Sequence, residues 1–409
     1  MRRILVAGAG AAGMCAAITA ARLGAEVILL EKNDIAGKKI SMTGNGRCNL
    51  TNEAMSANCY NFASADRMEG WLSKFGVADT ISFMNSIGVV TQSEEGYIYP
   101  ISGQATTVQN ALICEVKRLG IDYITGRQLK KITPLEKGGY EVKASGDKYY
   151  ADAVIIATGG LAGPKSTMST GDSYYIAKSL GMAVTDTYPA LTALLSDDKD
   201  LPSDYGVRMM ADIRIEEIEG LREYGELQIT KKGISGIPVL QLSGRVARYL
   251  AENKKNATAV IDFFPSYCDE EFENMKKAIV RVAVGKSFIQ VLDGICNHLI
   301  GVMILSRNET DGDQIVRAED IEKLQSIIDE YRKVRISICA TADYASSQVT
   351  SGGVCLDEVT DELESVKNPG VYVVGELLDV DGRCGGYNLQ WAFTSGSIAG
   401  TSAVSKDSI

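Results

Sequence analysis

The residues with the clearest chemical meaning stand near the start of the chain, where Gly8-Ala9-Gly10-Ala11-Ala12-Gly13 follows directly on the apolar run Ile4-Leu5-Val6-Ala7. Ala16, Ala17, Ala20 and Ala21 continue as a small-residue helix, and a second apolar strand, Val27-Ile28-Leu29-Leu30, ends in Glu31. Strand, glycine turn, helix and strand in that order make a cradle for a dinucleotide. Gly8 permits the tight turn, Gly10 lets backbone approach a pyrophosphate, and Gly13 lets helix pack closely on strand. The helix start presents unpaired N–H groups and a positive dipole end to the phosphates. Glu31, 23 residues beyond Gly8, is placed to accept hydrogen bonds from both hydroxyls of an adenosine ribose, and its charge disfavours a 2′-phosphate.

Three later stretches return the chain to the same place. The loop Gly44-Asn45-Gly46-Arg47-Cys48-Asn49 is too rich in glycine and polar groups to be a strand, and suits backbone held close to a cofactor. Ala153-Val154-Ile155-Ile156 reads as a buried strand that ends in Ala157-Thr158-Gly159-Gly160. Val371-Tyr372-Val373-Val374 repeats that pattern before Gly375-Glu376. A loop through Asp379 and Gly385-Gly386-Tyr387-Asn388-Leu389-Gln390 then leads into a terminal helix, Trp391 to Ala403. Such a loop aims N–H groups and a dipole at a ring held there, and favours negative charge accumulating on that ring.

Other chemistries are poorly supplied. The only histidine is His298, which argues against a histidine-based metal site or triad and reads as a packed or surface helix residue. Nine cysteines are scattered with no Cys-x-x-Cys pair, which argues against a disulfide framework, structural zinc or an iron–sulfur cluster. Cys48 has neither a cysteine partner nor an activating histidine near it in sequence, so it reads as a packing thiol. Acidic residues outnumber basic ones by 52 to 42, for a net charge of −10, and no Lys/Arg cluster tracks a phosphate backbone. Nucleic acid and anionic membrane are therefore not expected partners. With no leader pattern and no apolar run long enough to span a bilayer, a cytoplasmic protein is expected.

The elements that must position these residues indicate an α/β protein with an insertion. A helical pattern covers 66–88, a short hairpin runs from Val89 to Tyr99, and a helix from Thr106 to Leu119 leads to a strand at Ile121-Asp122-Tyr123-Ile124. A three-stranded meander (Gln128 to Thr133, Tyr140 to Ala144, Lys148 to Ala151) runs straight into Ala153. The reading gives a first part of a Rossmann-like domain over 1–188, a mixed β-rich and helical insertion over 189–335 on the substrate side, and a second part over 336–409. Within the insertion, strands are expected at Ala211 to Glu217, Glu226 to Thr230 and Ala259 to Phe263. Its helices are expected at Ile237 to Asn253, Asp269 to Val284, Phe288 to Leu299 and Glu319 to Tyr331, with a small helical part over about 265–332.

The glycine turn, the acidic strand end, the meander and the Ala-Thr-Gly-Gly return together resemble the FAD-binding domain of two-dinucleotide-fold flavoproteins. Gly44 to Asn52, Gly233 to Gly236 with Pro238 to Ser243, Thr350 to Val354 and Gly375 to Gly400 narrow the resemblance. They are similar to the BaiN-like and aminoacetone oxidase-like family of bacterial FAD flavoproteins, which includes a bile-acid 3-dehydro-Δ4,6-reductase. One stretch departs: where the family commonly has Thr-His before Gly-x-Ser-Gly-Pro, this chain has Thr230-Lys231-Lys232-Gly233-Ile234-Ser235-Gly236-Ile237.

The resemblance implies non-covalent FAD, contacted by Gly8 to Gly13, Glu31, Lys32, Lys39, Gly44 to Asn49, Leu129, Ala157 to Gly160, Gly375, Glu376, Asp379 and Gly385 to Leu389. Lys39 and Arg47 would neutralise pyrophosphate charge, and Tyr387, beside the flavin edge, is the candidate proton donor. The activity implied is reduction of an activated C=C bond in a small hydrophobic 3-keto-steroid or 3-dehydro-bile acid enone, with NADH as donor. A flavin-dependent small-amine oxidase using oxygen is the alternative, because one flavin site serves both.

Overall fold

The computed structural model describes residues 1–61, 64–202 and 206–405. The apolar runs at the start of the chain and their later counterparts pair into a five-stranded sheet. Its strands are β1 (Arg3–Ala7), β2 (Glu26–Leu30), β3 (Asp122–Ile124), β4 (Ala153–Ile156) and β5 (Val371–Val373), in the order β5-β4-β1-β2-β3. Every pair is parallel, and Ala7 lies opposite both Leu30 and Ile156, Leu30 opposite Ile124, and Ile156 opposite Val373. All five strands therefore end at one level. Residues read from their spacing as functional follow directly on those ends, which is where open parallel sheets bind ligands.

Two helices set the packing of the unit, one on β1 and β2 and the other on β4 and β5. α1 (Ala11–Arg22) is almost wholly buried, and α2 (Tyr387–Ser405) runs against it. Their backbones touch because the facing residues are small. A Cβ on Gly396 would overlap the Ala12 carbonyl oxygen, and one on Gly400 would lie 2.6 Å from that of Ala16. The Cys15 thiol donates to the Phe393 carbonyl across the same seam (3.4 Å).

The antiparallel meander forms as Leu129–Pro134, Tyr140–Ala144 and Asp147–Ala151. The helical pattern over 66–88 is two helices, Ala65–Lys74 and Val77–Ser86, because Gly76 is extended and its N–H is capped by Asp79 (2.8 Å). The terminal helix begins at Tyr387 instead of Trp391, so Tyr387, Asn388 and Leu389 form its first turn.

The chain separates into two compact units, Met1–Tyr188 with Gln348–Ile409, and Pro189–Ser347. The sequence reading returned to the first domain at 336. Strands Val334–Ile338 and Ala340–Thr341 instead pair with Ala257–Asp262 and Leu194–Leu195, which keeps the chain in the second unit through Ser347. The strands at the two edges of that antiparallel sheet of seven are separated only by Cys339, so the sheet curls round on itself. Helix Ile237–Asn253 buries Val239, Leu242 and Val246 against it. The helix read as Phe288 to Leu299 breaks after Leu292 and restarts at His298, where the Asn297 side chain caps the Leu299 N–H (3.0 Å). Apolar residues of strands and helices share one core, among them Ile261, Phe288, Ile304 and Tyr331.

Two outcomes follow from the packing of the first unit. Gly396→Ala gains up to about 1 kcal/mol of helix propensity but forces α2 off α1, for an expected net loss of about 1–2 kcal/mol in urea denaturation. Glu115 is buried at the end of helix Ala105–Arg118 and accepts from Arg118 Nε (2.6 Å) and Arg22 Nη2 (2.7 Å). Those hydrogen bonds, from Arg118 first, hold its carboxyl at about 2 against an ordinary value of 4.5. A depressed carboxylate stabilises above its ordinary value and loses that contribution as the pH falls toward its folded value. Glu115→Gln should therefore lower the melting temperature clearly at pH 7 and much less at pH 2.5.

Candidate functional site

The turn after β1 is built by close approach. Gly8 has φ +104°, its N–H donates to the Leu30 carbonyl (2.8 Å), and a Cβ there would lie 2.5 Å from the Ala157 carbonyl oxygen. A Cβ on Gly13 would overlap the Gly8 carbonyl, whereas one on Gly10 would meet nothing within 4 Å. α1 starts without a side-chain cap and without an acid in its first turn, so its first N–H groups are left for an anion. Glu31 is buried; Oε2 accepts from the Ala9 N–H (2.9 Å) and Oε1 from the Asn33 backbone and side chain (both 2.8 Å). The carboxylate thus holds the glycine turn in place, and with about four acceptor sites it retains capacity for a ribose hydroxyl. The Arg127 N–H donates to the Glu31 carbonyl (2.8 Å), which brings Leu129 to the same corner. Lys32 reaches Thr170 Oγ1 (3.0 Å), and burial pulls its pKa below the usual lysine value.

At the end of β4, Thr158 Oγ1 is buried with no hydrogen-bond partner among the described residues. An orphaned hydroxyl beside an uncapped helix end fits a polar ligand there. A Cβ on Gly160 would lie 2.5 Å from Thr350 Oγ1, which accepts from the Leu161 N–H (2.7 Å). The Thr350 N–H donates to Glu376 Oε1 (2.9 Å), and Lys39 forms an ion pair with Glu376 Oε2. Arg47 pairs with Glu94 (2.7 Å) and lies 4.3 Å over the Tyr99 ring. Both cations expected to face pyrophosphate therefore have carboxylate partners, and the uncapped end of α1 keeps its N–H groups for an anion. Asp379 Oδ2 accepts from Thr185 Oγ1 (3.0 Å).

Gly44, Asn45, Gly46 and Cys48 all have left-handed backbone, with φ of 55°, 53°, 84° and 61°. Gly44 to Arg47 are exposed, while Cys48 and Asn49 are buried. A buried non-glycine residue held at positive φ is strained backbone of the kind that collects at ligand sites. Burial pushes the Cys48 thiol up to about 11, so it remains protonated as a packing group.

Facing this loop, a Cβ on Gly386 would lie 2.7 Å from the Thr51 carbonyl. Asn388 clamps the preceding turn, accepting from the Gly382 N–H (2.8 Å) and donating to its carbonyl (2.9 Å). Leu389 packs on the core. Tyr387 is buried, its carbonyl accepts from Tyr60 Oη (2.9 Å), and burial raises its phenol to about 12. Thr350, which joins Leu161 to Glu376, carried no assigned role in the sequence reading; its place in the Thr350 to Val354 stretch was its only signal. No cluster able to hold a metal ion occurs among the described residues.

The family profile described as HI0933-like protein Rossmann domain matches residues 2–402. The chain is 38% identical to a 3-dehydro-bile acid delta(4,6)-reductase of Clostridium scindens, over 99% of this chain and 100% of that protein. It is 27% identical to a ribosomal RNA dihydrouridine synthase of Haemophilus influenzae, over 96% of each. Among solved structures, a 3-ketosteroid delta1-dehydrogenase from Sterolibacterium denitrificans shares the fold, with a TM-score of 0.52 at 13% identity over 99% of this chain and 100% of that one. With the cofactor cradle assembled at the strand ends and the family match running nearly from end to end, the chain belongs to the HI0933-like Rossmann flavoprotein family.

Proposed function

We propose that this chain binds FAD non-covalently at the strand-end cradle and reduces a C=C bond conjugated to a carbonyl, in a 3-keto-steroid or 3-dehydro-bile acid enone, with NADH as electron donor. The observation that carries this reading is the 38% identity to the delta(4,6)-reductase along its whole length, joined to a cradle whose residues fit the cofactor. FAD, when bound, supplies the two-electron exchange that no side chain can. The end of α1 would hold the pyrophosphate, Glu31 would accept from a ribose hydroxyl, Thr158 Oγ1 would bond to the ligand, and the exposed backbone of Gly44 to Arg47 and the first turn of α2 would border the flavin.

Reduction of an enone also needs a proton at the α-carbon, and Tyr387 is assigned that task. Its phenol, raised to about 12 from an ordinary 10, keeps its proton throughout the neutral and mildly alkaline range. The C5=C6 bond of uridine is likewise conjugated to a carbonyl, so the same bond class covers a ribosomal RNA substrate, the activity named for relatives at 27% and 26% identity. The chain's excess of acidic residues favours the small hydrophobic substrate over RNA.

In an anaerobic titration with NADH, the visible absorbance of the purified flavoprotein should bleach, and an added 3-keto-4-ene steroid should restore it. Absorbance that returns only with uridine-containing ribosomal RNA moves the substrate to nucleic acid, and absorbance that bleaches only with amines favours the oxidase. Tyr387→Phe should slow reoxidation by the enone by about 100-fold or more while leaving reduction by NADH unchanged. In the unsubstituted protein the alkaline limb of the reoxidation rate should lie above pH 10, because the raised phenol stays protonated there; a Phe variant with normal reoxidation assigns the proton to another donor.

A further inference from the structure

Gln390 lies one turn into α2 with no exposed surface, and its amide is fully engaged within the protein. Oε1 accepts from Thr51 Oγ1 (2.6 Å) and Thr80 Oγ1 (2.9 Å), and Nε2 donates to Thr394 Oγ1 (3.0 Å) and the Phe75 carbonyl (3.3 Å). Thr394 Oγ1 donates in turn to the same Phe75 carbonyl (2.7 Å). The partners come from separate pieces of chain: the strand after the Gly44 to Asn49 loop, the break between the helices Ala65–Lys74 and Val77–Ser86, the second of those helices, and α2 itself. Thr51 is gripped twice, since Gly386 closes on its carbonyl and the Asn49 amide, turned to satisfy both neighbours, donates to that carbonyl (2.9 Å).

We propose that Gln390 is a positioning residue for the cofactor: it fastens the first turn of α2, Tyr387 to Leu389, to the loop ending at Asn49, and so sets how strongly the N-terminal end of α2 acts on a bound flavin. The inference rests on the FAD reading above. Leucine would fill a similar volume with no polar group to satisfy, whereas a buried amide bonded on all sides fixes one relative placement of the segments it joins. That placement matters because the field of a helix end falls off within a turn. Segments separated by more than 300 residues in sequence meet on this side chain. Gln390 does not need to touch the flavin to alter its potential.

The test compares the flavin midpoint potential and the FAD dissociation constant in the whole protein and in three variants. Gln390→Leu removes every bond of the amide, Thr80→Val removes one of them without altering α2, and Gly400→Ala disturbs the far end of α2. The expected result is a more negative potential and roughly tenfold weaker FAD binding in Gln390→Leu, a smaller change of the same sign in Thr80→Val, and a lower melting temperature with unchanged potential in Gly400→Ala. If Gln390→Leu does not fold, Thr80→Val decides. Variants that lose stability yet keep the parent's potential and affinity overturn the inference and leave the cofactor assignment standing. A parent protein that neither carries nor binds FAD overturns both.

Discussion

A helix can aim its N-terminus at a phosphate only if the strand before it stops where the ligand sits and the turn between them has no side chains in the way. The whole first unit follows from that steric constraint. At Gly8 the backbone needs positive φ while passing a carbonyl of the neighbouring strand, and at Gly13 the helix rests on the turn it has just left. The same closeness continues across α1, where Gly396 and Gly400 bring α2 into backbone contact. Small residues thus link three functions: the bend of the turn, the tilt of α1, and the seating of α2 with its first turn at the cofactor edge. A substitution at the glycine turn, or at Gly396 near the start of that seam, reaches the site through rigid packing, because close-packed interiors transmit small volume changes over short distances.

Much of this was legible in the sequence, for identifiable reasons. Buried parallel strands appear as continuous apolar runs, so β1, β2, β4 and β5 could be read from Ile4 to Ala7, Val27 to Leu30, Ala153 to Ile156 and Val371 to Val374. β1 and β4 are followed at once by Gly8 and Ala157, β2 by Glu31, and β5 by Val374 and Gly375, so the residues that could do chemistry stand at the strand ends. Helix punctuation was harder. Gly76 splits a pattern whose apolar spacing runs through the break, and Asn297 starts a new helix inside what reads as one, because a cap depends on a hydrogen bond that periodicity does not record. The second unit's extent was misjudged for a related reason: Val334 to Thr341 looks like any strand, and only its partners, Ala257–Asp262 and Leu194–Leu195, say where it belongs.

The site shows the same division between residue type and placement. Glu31 was identifiable from its distance to Gly8, but its bond to the Ala9 N–H, which makes it part of the turn's framework as well as a candidate ribose acceptor, depends on three-dimensional position. Lys39 and Arg47 were expected at the phosphates from the family resemblance. Their pairing with Glu376 and Glu94, one partner more than 300 residues away, was invisible. Gln390 belonged to a recognisable stretch, yet nothing in a one-dimensional pattern separates a glutamine that meets solvent from one whose four hydrogen bonds are all internal.

The pairing of the cations bears on what kind of ligand the cradle favours. Unpaired lysines and arginines at the phosphate position would attract any polyphosphate, with a strength set mainly by charge. Here Lys39 and Arg47 are held by carboxylates and Lys32 is bonded to Thr170, while the backbone N–H groups at the end of α1 act in fixed directions with only a partial charge. On the proposed placement of FAD such a site would select by shape: the ligand would set a phosphate at the end of α1 and a ribose on Glu31, with its other half passing Thr158 toward the first turn of α2. Glu31 adds a charge that repels a phosphorylated ribose. A long dinucleotide satisfies these requirements together and a simple nucleotide only some of them. On this reading the carboxylates that neutralise Lys39 and Arg47 are part of the site's selectivity, because they remove the non-directional attraction that would blur it.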